Sequence, residues 1–224
     1  MTKNFLKSTF ASVVVVFSAN VSYASADNAA LQDQYEASIA DAGVIQPDEV
    51  KTVATLTAPN GKFVTWTSYP DSYKPGSDLT LAWGETWVTQ NGAVLNQCKA
   101  FVKDEVNLRI QQLLGLPPQE VTQRYFAVLD VKVADMFRPC ANPSLAATEC
   151  TTNFPDDVSE SHKVWYAGQT AAAYQSVKGY PWTRLGYTYD WNPQTDEEGV
   201  SEFVIKKGAT VNIVSLTPTE EYCQ

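Results

Sequence analysis

Four cysteines, Cys98, Cys140, Cys150 and Cys223, place the tightest limit on how this 224-residue chain folds. Their use depends on the redox compartment, and the N-terminus bears on that. Lys3 and Lys7 precede an apolar run from Phe10 to Phe17 with four consecutive valines, and small residues follow, ending Ala24-Ser25-Ala26. This is the tripartite layout of a secretory signal peptide over residues 1–26, with cleavage expected after Ala26. In an oxidising compartment an even cysteine count predicts disulfides, and four cysteines allow three connectivities. The favoured one joins Cys140 to Cys150 as a local clip around Asn142-Pro143, and Cys98 to Cys223, which ties the C-terminus to a helix. In the chain-entropy model the short loop contributes roughly 2.5 to 3 kcal/mol and the long one about 5 kcal/mol. Zinc fits poorly, because the chain has no C-x-x-C pair and His162 is its single histidine. No metal is assigned.

The leader's apolar run is too short to persist as a membrane span, and no later segment reaches the roughly 18 apolar residues a span needs. No cysteine lies near the cleavage point to accept a lipid. The expected product is an exported protein, periplasmic or extracellular, without a membrane anchor. Its formal charge is −9, and loss of residues 1–26 removes Lys3 and Lys7 and no acid, which takes the charge to −11. Such a chain has no general attraction for a phosphate backbone, so nucleic acid is excluded as a partner. At 44% hydrophobic and 18% charged residues the composition is that of a globular protein, and the length fits one domain.

Periodicity divides the remainder into an N-terminal helical arm over 27–46 and a globular domain over 47–224. In the arm Leu31, Tyr35 and Ile39 recur at four-residue steps and Gly43 closes the helix. Two β-rich runs, 52–57 and 62–67, flank Ala58-Pro59-Asn60-Gly61 and predict a hairpin. A strand is expected through Leu79, Leu81 and Trp83. The clearest helix spans 91–114, where Val94, Cys98, Phe101, Val102, Val106, Ile110, Leu113 and Leu114 form one stripe. Gly115 stands at its C-cap and Pro117-Pro118 prevents continuation. Residues 124–133 read as an interior strand. A shorter helix begins at the N-cap Ser159 and ends near Tyr174. Strands follow over 184–191, 202–206 and 210–214. The order lacks βαβ regularity. It predicts a single α+β domain, a mostly antiparallel sheet packed against one long central helix and a second shorter one, stabilised by disulfides.

Chemistry is less legible. The chain lacks the G-x-S-x-G, G-x-G-x-x-G, phosphate-loop and H-E-x-x-H signatures. Any histidine-assisted nucleophile would have to use His162, at a helix start. The densest anomaly is Gly179–Asn192, with five aromatics between Tyr180 and Trp191. If 184–191 is extended, Leu185, Tyr187, Tyr189 and Trp191 share one face, and Arg184, Gly186, Thr188 and Asp190 share the other. A planar guanidinium suits carboxylate or phosphate, aromatic rings suit sugars or nucleobases, and glycine within a strand marks close approach by a ligand or a backbone. Arg184, Tyr187, Tyr189, Asp190 and Trp191 are therefore the candidate ligand-binding residues. The acidic loop from Asp190 to Glu202 concentrates oxygen donors but fails the EF-hand pattern, with Thr195 at position six and Ser201 at position twelve.

Three functions fit these residues. The first is an exported module that binds a small polar molecule or a glycan on the aromatic, Arg and Asp segment. The second is an enzyme acting on a glycosidic bond or the N-glycosidic bond of NAD, with Glu202 as catalytic carboxylate and Asp190 or Glu85 as its partner. Here Ser201-Glu202-Phe203-Val204-Ile205, followed by Gly208 and Thr210-Val211-Asn212-Ile213, resembles the C-terminal catalytic strand of ADP-ribosyltransferases over about fifteen residues. The resemblance implies an earlier arginine or histidine and a serine or tyrosine, positions that Arg138 and Tyr189 would have to fill. The third is a structural or interaction protein whose aromatic segment packs the core. The sequence names no cofactor and no oligomeric state.

Overall fold

A computed structural model of the chain describes residues 18–121, 123–175 and 178–224, with side chains from residue 27 onward. Of the leader read over residues 1–26, residues 1–17 lie outside the described residues and 18–26 form the first turns of α1 (Ser18–Ala42). The strands are β1 (Asn60–Thr67), β2 (Asp78–Thr80), β3 (Thr86–Gln90), β4 (Tyr125–Lys132), β5 (Met136–Phe137), β6 (Tyr187–Tyr189), β7 (Glu198–Ile205) and β8 (Thr210–Pro218). They form one antiparallel sheet in the order β2-β8-β4-β1-β3-β7-β5, with β6 paired to the first half of β7. The remaining helices are α2 (Asn91–Cys98), α3 (Val106–Leu113), α4 (Glu160–Ala173) and α5 (Thr219–Tyr222).

The centre of the sheet follows from β4, whose near-continuous apolar run needs cover on both faces. It pairs with β1 along all eight residues, from Thr67 opposite Tyr125 to Asn60 opposite Lys132. On one face Phe63, Val88, Leu129, Phe203 and Ile205 pack beneath loop residues such as Tyr73, Leu81 and Leu145. On the other, Val64, Trp66, Phe126 and Val128 meet Val94, Ile110 and Leu113 of α2 and α3, and Tyr222 of α5. Both expected disulfides form. Cys98–Cys223 fastens the end of α2 to the C-terminus, and Cys140–Cys150 closes a ten-residue separation. Among the described residues no helix is long and apolar enough to cross a membrane. The stripe of α1 packs through Leu31, Tyr35 and Ile39 against Tyr189 and Trp191.

The fold corrects the expected elements in several places. The single long helix over 91–114 is two short ones, α2 and α3, separated by Lys99–Glu105. A straight helix of that length would run about 36 Å, beyond the roughly 27 Å of an eight-residue strand. Breaking it lets both halves keep their apolar faces on the sheet. Val102 takes an extended conformation at the break (φ −64°, ψ 129°) and its side chain points to solvent, while Asp104 and Glu105 fall at the positive end of α3. Gly115 does close α3. It adopts φ +64°, and Leu116 N–H donates to the Gln111 carbonyl and Gly115 N–H to that of Gln112, a Schellman ending.

The 52–57 run makes no hairpin with β1. Its amides at Val53 and Leu56 donate to the carbonyls of Thr148 and Leu145, because β1 already has β4 and β3 as neighbours. The strand expected through residue 83 covers only Asp78–Thr80. Strands β7 and β8 diverge after Gly208 and lie four places apart, β8 pairing with β4 and β2. Ser159 caps α4 as expected, its Oγ accepting from His162 N–H at 3.3 Å.

Candidate functional site

The aromatic segment is extended over only three residues. Arg184 and Gly186 both take positive φ, 62° and 80°, so regular pairing begins at Tyr187. A Cβ on Gly186 would sit 2.7 Å from Cys150 Sγ and 3.0 Å from Arg138 Cδ, so the close approach that its glycine permits is to a disulfide. Both faces of the segment are then covered. Tyr187, Tyr189 and Trp191 are 4%, 7% and 4% exposed, which removes them as an open stacking platform.

Their polar atoms serve the fold. Tyr187 donates to the Glu49 carbonyl, Tyr189 to Asp41 Oδ2 and the Trp191 indole to the Leu116 carbonyl. Arg184 donates to the carbonyls of Ala42 and Gly43 and lies over the Tyr174 ring. Asp190 accepts two hydrogen bonds from Arg109, at 2.9 and 2.5 Å, and Arg109 in turn stacks on Phe101. The five candidate ligand-binding residues are thus dispersed over internal contacts; Tyr189 borders a cavity of about 860 Å³, and Asp190 with Arg109 borders an open surface depression of about 620 Å³.

That cavity contains Glu202. It has a volume of about 860 Å³ and lies on the helix side of the sheet, between the end of α3, α1 and the 178–182 segment. A smaller lobe of about 270 Å³ adjoins it, and Trp87, Leu114, Leu116, Thr188 and Glu202 border both. The register explains the placement. Glu202 stands opposite Thr89 and Val204 opposite Trp87, so these four side chains share one face, while Phe203 and Ile205 turn into the core on the other. Where α3 stops at its glycine cap, the sheet face is left open and Glu202 becomes its floor.

Aromatic rings surround this carboxyl. Tyr35, Trp87, Tyr180, Trp182 and Tyr189 line the main cavity, and Trp66, Tyr73 and Trp83 line the lobe. Trp87 anchors the set, its ring centre 6.2 Å from those of Trp165 and Trp182 and 6.5 Å from that of Tyr180. Among the described residues no side chain or backbone group hydrogen-bonds to the Glu202 carboxyl. Burial pushes its pKa from the ordinary 4.5 up to about 8, so it is mostly protonated at neutral pH. Burial, with Glu202 adding to it, pushes the Tyr180 hydroxyl up to about 12. Two buried polar atoms at the cavity borders, Trp182 Nε1 and Thr86 Oγ1, also have no partner among the described residues.

Of the partners expected for Glu202, Tyr189 borders the main cavity and Glu85 the lobe, while Asp190 and Arg138 line neither. Asp190 is committed to Arg109. Glu85 is exposed at the border of the lobe, its Oε2 accepting from Trp165 Nε1 at 2.8 Å. Arg138 is fully buried behind β7, over the Phe203 ring, and its Nη2 donates to the Ala54 carbonyl at 2.6 Å. It cannot face Glu202 from that side of the strand, and desolvation lowers its pKa to about 10. His162 holds the Cys140 carbonyl through Nε2 and stacks on Trp165. Of the acidic loop, Glu197 approaches Asp41 and Glu49, with carboxylate oxygens within 4.8 Å of one another. Burial and these two neighbours raise the Glu197 pKa.

Glu202, Tyr189 and the Tyr180–Trp182 part of the aromatic segment were legible in the sequence, whereas Tyr35, Trp87 and Leu116 were not, because they come from three separate stretches. The chain matches no protein-family model, no curated protein and no solved structure.

Proposed function

We propose that this is an exported binding domain whose small-molecule ligand occupies the aromatic cavity against Glu202. The observation that carries the proposal is a half-buried carboxyl, without a hydrogen-bonding partner among the described residues, at the floor of a cavity of about 860 Å³. A protonated carboxyl in an apolar site costs the fold hydrogen bonding that a ligand can restore. The size falls within the range of small-molecule sites, and a mostly apolar wall with few polar groups is their usual chemistry. The two disulfides and the N-terminal leader pattern support export.

A second reading, cleavage or transfer at a glycosidic or NAD N-glycosidic bond, is favoured by the same carboxyl, since a general acid must carry its proton at working pH. Of the two carboxylates that could assist, Asp190 is committed to Arg109, and the exposed Glu85, which borders the lobe, accepts from the Trp165 indole.

A library of metabolites, amines and oligosaccharides, scored by thermal shift and for turnover, tests both readings. Ligands that raise the melting temperature of the wild-type protein are expected to lose that effect in Leu116→Trp, which fills the junction of the two lobes. Hits unaffected by this change, or no hit in any class, would overturn the binding proposal. Turnover that Glu202→Gln abolishes would replace binding with catalysis.

A further inference from the structure

We infer that the ligand of this cavity is an organic cation, an amine or quaternary ammonium group seated against Glu202 and the rings around it. The inference rests on the cavity being a ligand site and adds the class of ligand. It follows from what the walls offer and what they have already spent.

An anionic ligand would find no guanidinium, because Arg109, Arg138 and Arg184 are held elsewhere in the fold, and only the exposed Lys178 stands at the rim. A neutral polyol needs several free donors and acceptors. The Thr188 hydroxyl is already used, donating to the Leu113 carbonyl and accepting from Val200 N–H. Gln169 Oε1 already accepts from the Tyr180 hydroxyl at 2.7 Å. What remains free among the described residues is the Glu202 carboxyl, the Trp182 indole N–H and the Thr86 hydroxyl, few for the many hydroxyls of a polyol, and the faces of aromatic rings. A cation suits the carboxyl and the rings, since ring quadrupoles attract positive charge, most strongly where water is excluded. The formal charge of −9 favours approach of the same ligand class.

Binding carries a proton with it. In the free protein the Glu202 carboxyl is mostly protonated at neutral pH, and a quaternary ammonium has no proton of its own to exchange. The carboxyl therefore releases one proton to solvent as the carboxylate–ammonium pair forms, and charge balances. The other titratable or charged groups around it are Tyr35 and Glu36 from α1, Tyr73 before β2, Glu85 before β3, Lys178 and Tyr180 from the 178–182 segment, and Tyr189 from β6. Burial raises the four tyrosines, so they stay neutral through the same range. Glu36, Glu85 and Lys178 are exposed at the rim.

Choline and its neutral carbon analogue, with a tert-butyl group in place of trimethylammonium, are suitable probes, followed by tryptophan fluorescence and calorimetry. Choline is expected to bind at least about tenfold more tightly than the analogue. Its affinity should rise about tenfold per pH unit from about pH 6 and level off above about pH 8, with one proton released per ligand at the low end. Glu202→Gln, which preserves shape and neutrality, should melt like the wild type and lose both the preference and the pH dependence. Equal affinity for the two probes, or a choline affinity flat with pH, overturns the inference. Binding of neutral oligosaccharides in place of any cation overturns it but leaves the cavity a ligand site. An empty result across the whole library removes both.

Discussion

Asp190 and Glu202 lie twelve positions apart in one acidic stretch, and their surroundings give them different work. Asp190 receives both Nη atoms of Arg109 and also accepts from Asn192 N–H. Glu202 has no such partner among the described residues, and burial keeps its proton on. Nothing in the local sequence separates the two, because the arginine that decides the matter comes from α3. Asp190→Ala should destabilise the fold by roughly 2 to 3 kcal/mol, since it strands a mostly buried guanidinium. Denaturant midpoints check this, and Arg109→Met with Asp190→Leu should recover part of the loss. The sequence singled out the aromatics by their density and Glu202 by an expected strand start at 202, whereas β7 begins four residues earlier, at Glu198. Their roles were not legible. Gly186 was readable as a close-approach glycine, but a disulfide sulfur is what approaches.

Among elements, the ends were more legible than the middles. Ser159 and Gly115 mark the start of α4 and the end of α3 because capping chemistry is local. The interruption at Lys99–Glu105 was hidden by a stripe that continues through Phe101 and Val102, and the acidic pair Asp104-Glu105 was the available sign of a second helix start. The Gly115 ending has a direct bearing on the site, since it turns the chain away and leaves Leu114 and Leu116 as cavity wall. Its φ of +64° is costly for any residue with a Cβ, and an added Cβ would stand 3.3 Å from the Tyr189 carbonyl oxygen. Gly115→Ala is therefore expected to cost about 1 to 2 kcal/mol in a urea titration, with Gly115→Asn milder.

For the molecule as a whole, the class of fold and the presence of two disulfides follow from pattern and cysteine count, which favour but do not fix the pairing, while the strand order does not. Placing β8 beside β4 and β2, far from β7, depends on which faces bury most apolar surface, and no local signal encodes it. The same long-range pairing brings α1, β3, the end of α3 and the 178–182 segment around one carboxyl. In the free protein that carboxyl is half-buried, unpaired among the described residues and, with its pKa raised to about 8, mostly neutral at neutral pH. Carbon-13 NMR of the Glu202 side chain across a pH titration measures this directly, assigned by comparison with Glu202→Gln. A midpoint near 8 is the predicted result, falling when choline saturates the protein. A midpoint near the ordinary 4.5 would place Glu202 in open water and contradict the cavity as the site.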